Sequence, residues 1–289
     1  MRFVALLALA GLTLAHAGPE RGAAETDAAK TGAAKTGAGK IGAAATPDAP
    51  AAPPWDAAPP VDPLAQRVPV NPGYGASFVF TRIRYHSAYS RGRGRRGGGS
   101  AWSHDYPRAD WHLSTLLTEL TFIRAETDGT NVLELDDPEL FKYPVAYISE
   151  PGDWGMTDEQ AERLREYVLK GGFLIFDDFE GRQFENMAEQ LRRALPEYTP
   201  VQIGIDHPIF HSFFSMEDIY FPHPLVNVTP IYWGLFEDND PEKRMLAIIN
   251  HNNDIAEYWE WSADGWFPVD ITNDAYKLGI NYITFAMTH

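Results

Sequence analysis

Two short apolar runs alternate with two amphipathic helical patterns in the middle of the chain, and this alternation constrains the fold more than any other feature. Residues 145–148 and 173–176 are continuous apolar runs, typical of strands covered on both faces. Between them, residues 157–160 (TDEQ) form a capping box, which predicts the start of a helix. Residues 184–195 carry apolar side chains at helical spacing and predict a second helix. This order of elements favours parallel βαβ units and therefore a doubly wound α/β fold.

The flanking sequence extends this predicted sheet. Residues 78–85 alternate and are rich in β-forming side chains, which predicts a first strand. Residues 231–236 and 245–250 flank a polar turn and predict a β-hairpin, and residues 274–287 predict a closing helix. We therefore expect a doubly wound, mostly parallel sheet with an added β-hairpin, folded as one domain over residues 74–289.

The N-terminal part of the chain has a different composition. Residues 1–17 combine an early arginine, an apolar run and a final Ala-His-Ala, a pattern that predicts a signal peptide. Residues 18–73 are rich in Ala, Gly and Pro and predict a disordered, low-complexity tether. The apolar run is shorter than the roughly 20 residues needed to span a bilayer. We therefore expect an exported, periplasmic protein with no transmembrane segment in the mature chain.

Composition excludes several classes of function. The chain has no cysteine, which rules out disulfides, thiolate nucleophiles and thiolate zinc sites. The sequence also contains no serine nucleophile elbow, P-loop or H-E-x-x-H motif. With 40 acidic against 24 basic residues, the net charge is −16, and such a surface repels nucleic acid. We therefore expect chemistry based on histidine, carboxylate and hydroxyl groups, and no nucleic-acid partner.

Charged side chains follow several predicted strands, at the edge where α/β sheets bind ligands. Asp177 and Asp178 end one apolar strand, so like charges meet beside a buried surface, as a general acid or a pair of metal ligands requires. Alternatively, Asp177 caps the following helix and Asp178 pairs with an arginine. Other strand-end or edge candidates, most of them predicted ligand-binding residues, are Arg82, Arg84, Asp105, Tyr106, Glu150 and His211, together with Asn250, His251 and Asp254.

His207 and His211 lie four positions apart, a spacing that on a helix places both imidazoles on one face. Together with Glu217, Asp218 and His223, they could form a metal site. Because a proline follows His207, a long helix is disfavoured here. The alternative is a single helical turn capped by the preceding aspartate. The sequence leaves the identity of any metal or cofactor open.

Six stretches of the chain resemble the DUF4159 family of unknown function. They are residues 78–85 (FVFTRIRY), 105–110 (DYPRAD), 143–152 (YPVAYISEPG), 164–179 (LREYVLKGGFLIFDDF), 206–210 (DHPIF) and 278–289 (LGINYITFAMTH). The resemblance implies a fold like the class I glutamine amidotransferases, close to flavodoxin, in an exported or membrane-tethered setting. It implies no catalytic activity.

Residues 145–178, 207–209 and 217–220 also look like the ThuA branch of that fold, which is associated with carbohydrate metabolism. In the amidotransferases the residue after the strand is a nucleophilic cysteine, and in ThuA-like proteins it is typically a histidine. In this chain the corresponding residue is Asp178. Cysteine amidotransferase activity is therefore excluded.

These features predict an exported, non-catalytic module that binds a ligand or a protein partner of the cell envelope. The expected ligand is carbohydrate-like or anionic, held in a crevice where the strand ends bearing Asp178, Glu150 and Arg84 converge. The alternative is a carbohydrate-active hydrolase or lyase, with Asp178 and His207 as acid and base or as metal ligands. This alternative requires Asp178 and His207 to share one cavity.

Overall fold

The computed structural model describes residues 71–75, 77–88 and 100–289. The predicted signal peptide and nearly all of the predicted tether lie outside the described residues. A seven-stranded sheet forms the centre of the fold, in the order β3-β1-β4-β6-β9-β8-β7. Strands β2 and β5 pair antiparallel in a separate small sheet. The strands are β1 (Thr81–Ile83), β2 (His86–Ser87), β3 (Asn131–Leu133), β4 (Val145–Ser149), β5 (Trp154–Gly155), β6 (Phe173–Phe179), β7 (Val201–Ile203), β8 (Ile231–Phe236) and β9 (Met245–His251).

The five strands from β3 to β9 in that order run parallel, and β8 and β7 complete the sheet antiparallel. The predicted doubly wound, mostly parallel sheet is therefore confirmed. The predicted β-hairpin corresponds to β8 and β9, which pair antiparallel. It is not an appendage, however, because β9 also pairs with β6 inside the sheet.

Among the described residues, five α-helices cover the sheet: α1 (Arg108–Leu120), α2 (Asp158–Leu169), α3 (Gln183–Ala194), α4 (Ile255–Glu260) and α5 (Val269–Thr288). The predicted capping box starts α2, where the backbone amide of Gln160 donates to Thr157 Oγ1 at 3.1 Å and the Gln160 side chain accepts from the Thr157 amide. Within the described ranges, none of these helices combines the length and the apolar content of a membrane span.

Successive strand residues face opposite sides of the sheet, so each side carries its own hydrophobic core. Tyr147 and Ile175 pack on one side with α1, α4 and α5. Ile148 and Phe176 pack on the other side with α2 and α3. Helices on both faces leave the carboxyl ends of the parallel strands as the edge where loops can bring polar side chains together.

Candidate functional site

A histidine that follows the first strand lies among carboxylates at the carboxyl edge of the sheet. His104 Nδ1 is 2.6 Å from Asp178 Oδ2, 3.4 Å from Asp105 Oδ1 and 3.6 Å from Glu150 Oε1. Its other ring nitrogen, Nε2, is 3.9 Å from Glu257 Oε2. Segments that are far apart in sequence supply these groups: the turn before α1, the ends of β4 and β6, and α4.

Three of these acidic residues have a left-handed backbone. The φ angles are 62° at Asp105, 46° at Glu150 and 63° at Asp178. A non-glycine residue in this region costs of order 1 kcal/mol, and such residues concentrate at functional sites. At Asp178 the conformation accompanies a bulge, because the pairing of β6 with β9 shifts register between Phe176 and Phe179. Because of the bulge, the Asp178 side chain departs from the alternating directions of the side chains along β6. Its carboxylate therefore lies next to His104.

Arg82 holds the segment that carries His104. Its side chain is fully buried, with Nη2 2.6 Å from Asp110 Oδ1 and Nε 3.3 Å from Asp110 Oδ2. Its Nη1 donates to the backbone carbonyls of Trp102 and His104, at 3.2 and 2.7 Å. The predicted role of Arg82 as a ligand-binding arginine is therefore corrected. Its guanidinium is buried and bonded within the protein, and it positions His104.

Asp177 and Asp178 have different partners although they are neighbours. Asp177 Oδ2 accepts from Tyr147 Oη and from the backbone amides of Ile255 and Ala256, at 2.9 to 3.1 Å. Asp177 thus binds the N-terminus of α4, whereas the sequence suggested a cap on the helix that follows it. Burial and the charge of Asp178 raise the pKa of Asp177 to about 7.

The other buried carboxyls of the edge carry strongly shifted pKa values. Burial, followed by the charge of Asp178, raises the pKa of Asp254 well above its ordinary value. Burial and the charge of Asp105 raise the pKa of Glu257 to about 9 and that of Glu260 to about 8. The common cause is negative charge crowded into a region with little water. A bound cation would relieve this repulsion.

Four residues at this edge have the geometry of a metal site. One ligand atom from each of His104, Asp105, Asp178 and Asp254 lies within 4.8 Å of the others. We call these four residues the His104 cluster. Both oxygens of Asp105 and one oxygen of Asp254 are buried without a hydrogen-bond donor in the described part of the chain. Buried polar atoms normally have partners, so the arrangement favours a cation ligand.

The predicted edge residues fall into two groups. Asp105, Glu150 and Asp178 come together around His104. Arg84 also follows its strand, but its side chain is 51% exposed and pairs with Glu134 at 2.9 Å. The remaining predicted ligand-binding residue of this region, Tyr106, packs its half-buried ring against Trp102 with 6.0 Å between ring centroids.

The structure does not bring His207 and Asp178 together. The His207 ring packs against Phe236 and Phe285, at 5.6 and 5.9 Å between centroids. Phe236 pairs with Met245, the first residue of β9, so His207 lies at the amino edge of the parallel strands, opposite Asp178. The predicted acid and base pair is therefore wrong, because His207 and Asp178 lie at opposite edges of the sheet and cannot share a cavity.

The predicted metal pair His207 and His211 is also not assembled. The His207 side chain caps a single 3-10 turn by accepting from the Ile209 amide at 3.2 Å. His211 is exposed, with Nε2 2.6 Å from the Ile205 carbonyl and Nδ1 3.2 Å from Ser215 Oγ. The alternative prediction of a single capped helical turn is the one observed. The capping side chain is His207, however, and not the preceding aspartate.

Sequence reasoning missed His104 and Glu257 and gave His223 only a minor place. His104 directly precedes the DYPRAD stretch, which is the one local signal that could have identified it. The His223 side chain is 4% exposed, and its Nε2 is 3.9 Å from Glu180 Oε2. Burial lowers the pKa of His223, and the nearby charge of Asp178 acts against this shift. The charges of Asp178 and His104 both act on the His223 ring, so His223 lies near the His104 cluster.

The fold and the edge geometry define a doubly wound α/β domain with a histidine and carboxylate cluster at the carboxyl ends of its strands. The chain belongs to the DUF4159 family, described as a domain of unknown function, whose profile matches residues 79–287. This match confirms the family resemblance noted in the sequence. No curated protein matches the chain.

Proposed function

We propose that this chain is an exported domain that binds a divalent cation through His104, Asp105, Asp178 and Asp254, and that the cation helps to hold a small ligand. The observation that carries the proposal is the mutual approach of one ligand atom from each residue to within 4.8 Å. Three of the four residues are buried, so the ligands are held before the cation arrives.

The donor types of the cluster suit a cation of the Mn²⁺ or Zn²⁺ type, and ligand atoms up to 4.8 Å apart would draw closer around it. Such ions bind imidazole nitrogen and carboxylate oxygen at about 2.0–2.2 Å, so neighbouring ligand atoms lie about 3 Å apart and opposite ones about 4 Å apart. The 2.6 Å contact of His104 Nδ1 with Asp178 Oδ2 is a hydrogen bond, so cation binding would release its proton and lengthen the separation. One imidazole with several carboxylates is a donor set shared by zinc and manganese sites.

The proposal also covers the fold family of the domain and its location in the cell. The parallel order of the strands supports a fold like the class I glutamine amidotransferases, close to flavodoxin, with local similarity to ThuA-like proteins. By that resemblance Asp178 occupies the position of the nucleophilic cysteine, so the module would bind its ligand without covalent chemistry. The pattern of residues 1–17 supports export to the periplasm. Carbohydrate-like or anionic ligands, or an envelope protein, remain the proposed partners.

Hydrolysis is the second candidate function, and His223 favours it. The Nδ1 atom of the buried His223 ring accepts from the Leu225 amide at 3.2 Å, so the ring proton is on Nε2, which could donate it to a leaving-group oxygen. In this reading His223 takes the role that the sequence analysis gave to His207. Turnover of nitrophenyl glycosides by the cation-loaded chain, lost in His223→Gln at unchanged cation affinity, would support hydrolysis over simple binding.

Metal titration of the EDTA-treated mature chain tests the proposal. We expect saturable binding of Mn²⁺ or Zn²⁺ by calorimetry, and loss of affinity by at least about 100-fold in Asp178→Asn. Even substitutions outside the ligand shell of a metal site cost about 10–100-fold. The exposed Glu242 serves as a matched control, since Glu242→Gln also removes one charge but lies outside the cluster. A wild-type chain that binds neither ion would overturn the proposal.

A further inference from the structure

A second group of carboxylates adjoins the His104 cluster and shares one member with it. One oxygen from each of Asp105, Glu257 and Glu260 lies within 4.8 Å of the others. Glu257 and Glu260 are both on α4, three positions apart, so they project from nearly the same face of that helix. We call these three residues the Glu257 group.

Asp105, the shared residue, has an unusual environment for a buried carboxylate. Its side chain is 0% exposed, and its oxygens accept no hydrogen bond from a backbone amide, hydroxyl or amide side chain among the described residues. Asp177, which is equally buried, accepts from Tyr147 and from two backbone amides, and Asn250 donates to its second oxygen at 3.2 Å. The protein thus satisfies one buried aspartate completely, whereas the other has only the His104 ring, at 3.4 Å, and the carboxyls of Glu257 and Glu260 beside its oxygens. A carboxylate in that position suits a bridge between two cations.

The imidazole of His104 lies between the two groups. Its Nδ1 faces Asp178, and its Nε2 is 3.9 Å from Glu257 Oε2. Arg82, the buried arginine next to this region, bonds Asp110 and backbone carbonyls. Carboxyl groups therefore outnumber the positive side chains of this region, although the charge of Arg108 also acts on Glu260.

We propose that the site holds two divalent cations bridged by the carboxylate of Asp105, the second cation being ligated by Asp105, Glu257 and Glu260. This inference rests on the cation site of the proposed function. The second subsite offers only oxygen ligands, which suits Mn²⁺ or Mg²⁺. Carboxylate-bridged cations of this kind lie about 3.5–4 Å apart and together bind both oxygens of an oxyanion. The ligand class that follows is a phosphate- or carboxylate-bearing small molecule.

Mn²⁺ binding to the EDTA-treated full chain tests this inference through stoichiometry and magnetism. Equilibrium dialysis should give two Mn²⁺ per wild-type chain, and the electron paramagnetic resonance spectrum should show an exchange-coupled pair. The double variant Glu257→Gln/Glu260→Gln should bind one Mn²⁺ with an isolated six-line spectrum. Glu242→Gln, an exposed glutamate on the turn before β9, should bind two, as in the wild type.

Two further measurements keep the result interpretable. Near-ultraviolet circular dichroism establishes that the double variant is folded, and the single variant Glu260→Gln removes only the half-buried member of the group. We expect Glu260→Gln to weaken the second binding event by about 10-fold or more while the first is unchanged.

The outcomes separate the two proposals. One Mn²⁺ per wild-type chain at saturation, with an isolated spectrum, overturns the bridged pair and leaves the single-cation site intact. Two Mn²⁺ without exchange coupling also overturn the bridge at Asp105. Binding of no Mn²⁺ and no Zn²⁺ overturns the proposed function together with this inference.

Discussion

The two ends of the parallel sheet each hold a histidine, and the two residues have opposite surroundings. At the carboxyl end, His104 lies within 4 Å of carboxylate oxygens from Asp105, Glu150, Asp178 and Glu257. At the amino end, His207 packs between aromatic rings, and burial lowers its pKa. This comparison shows that the presence of a histidine alone does not identify a binding site. The charged groups that the fold brings to the imidazole decide whether it can ligate or only pack.

The largest expected effect is on protein stability, from loss of the buried ion pair that holds the carboxyl end of the sheet. Arg82→Ala leaves the buried Asp110 without its cation, which should lower the free energy of unfolding by about 3–5 kcal/mol. The matched control is Arg84→Ala, two positions along, whose exposed pair with Glu134 should contribute less than about 1 kcal/mol. Urea unfolding followed by circular dichroism measures both. Equal losses would show that the Arg82 pair has no special role.

The second-largest expected effect is a difference in cation affinity between a variant of His104 and a variant of His207. His104→Gln removes the nitrogen ligand and should weaken Zn²⁺ binding by at least about 100-fold. His207→Phe should leave the affinity within about twofold, because its aromatic surroundings accept a phenyl ring without touching the cluster. Calorimetric titration of both variants measures the contrast. A larger loss in His207→Phe than in His104→Gln would reverse our assignment of the two ends.

A packing change at the amino end should affect stability without affecting the site. A Cβ on Gly172, just before β6, would lie 2.3 Å from the ring of Tyr167, whose hydroxyl donates to the Tyr143 carbonyl. Gly172→Ala should therefore cost about 1–3 kcal/mol in the free energy of unfolding. Cation affinity should stay at the wild-type value below the unfolding midpoint. A parallel loss of affinity would mean that the two ends are coupled.

The smallest effect is the pH dependence of the amino end. Because burial lowers the pKa of His207 in the folded state, the unfolded chain binds the proton more readily. The contribution of His207 to stability should be fully present above the ordinary histidine pKa of about 6.5 and should decline as the pH falls below it, opposite in sign to the contribution of the buried carboxyls with raised pKa values. His207→Phe should reduce this decline by less than about 1 kcal/mol, measured by urea unfolding from pH 7.5 to 5. An unchanged slope would show that His207 does not contribute to it.

Much of the fold could be predicted because it depends on local patterns. The apolar runs of β4 and β6 and the capping box of α2 each carry their own signal within a few residues, and the structure confirms them. The three-residue β3 and the six-residue α4 are too short for a periodic pattern. Helix α4 also depends on Asp177, 78 residues away from the first amide that it caps. Such an element has no signature in its own sequence.

The site was only partly predictable for the same physical reason. Strand ends identified Glu150 and Asp178, because the parallel topology itself brings those positions to one edge, and Asp105 was predicted as part of the loop before α1. Arg82 was misinterpreted because its partner Asp110 is 28 residues away and the pair is buried. His104 follows a glycine- and arginine-rich stretch, so no strand pattern pointed to it. Long-range partners decide these roles, and they become visible only in the folded chain.

Pulsed electron paramagnetic resonance of bound Mn²⁺ tests the central claim most directly, because it detects a nitrogen ligand on the ion itself. We predict nitrogen modulation from one imidazole in the wild-type chain and in His207→Phe, and its loss in His104→Gln. Modulation that persists in His104→Gln and disappears in His207→Phe would contradict the account.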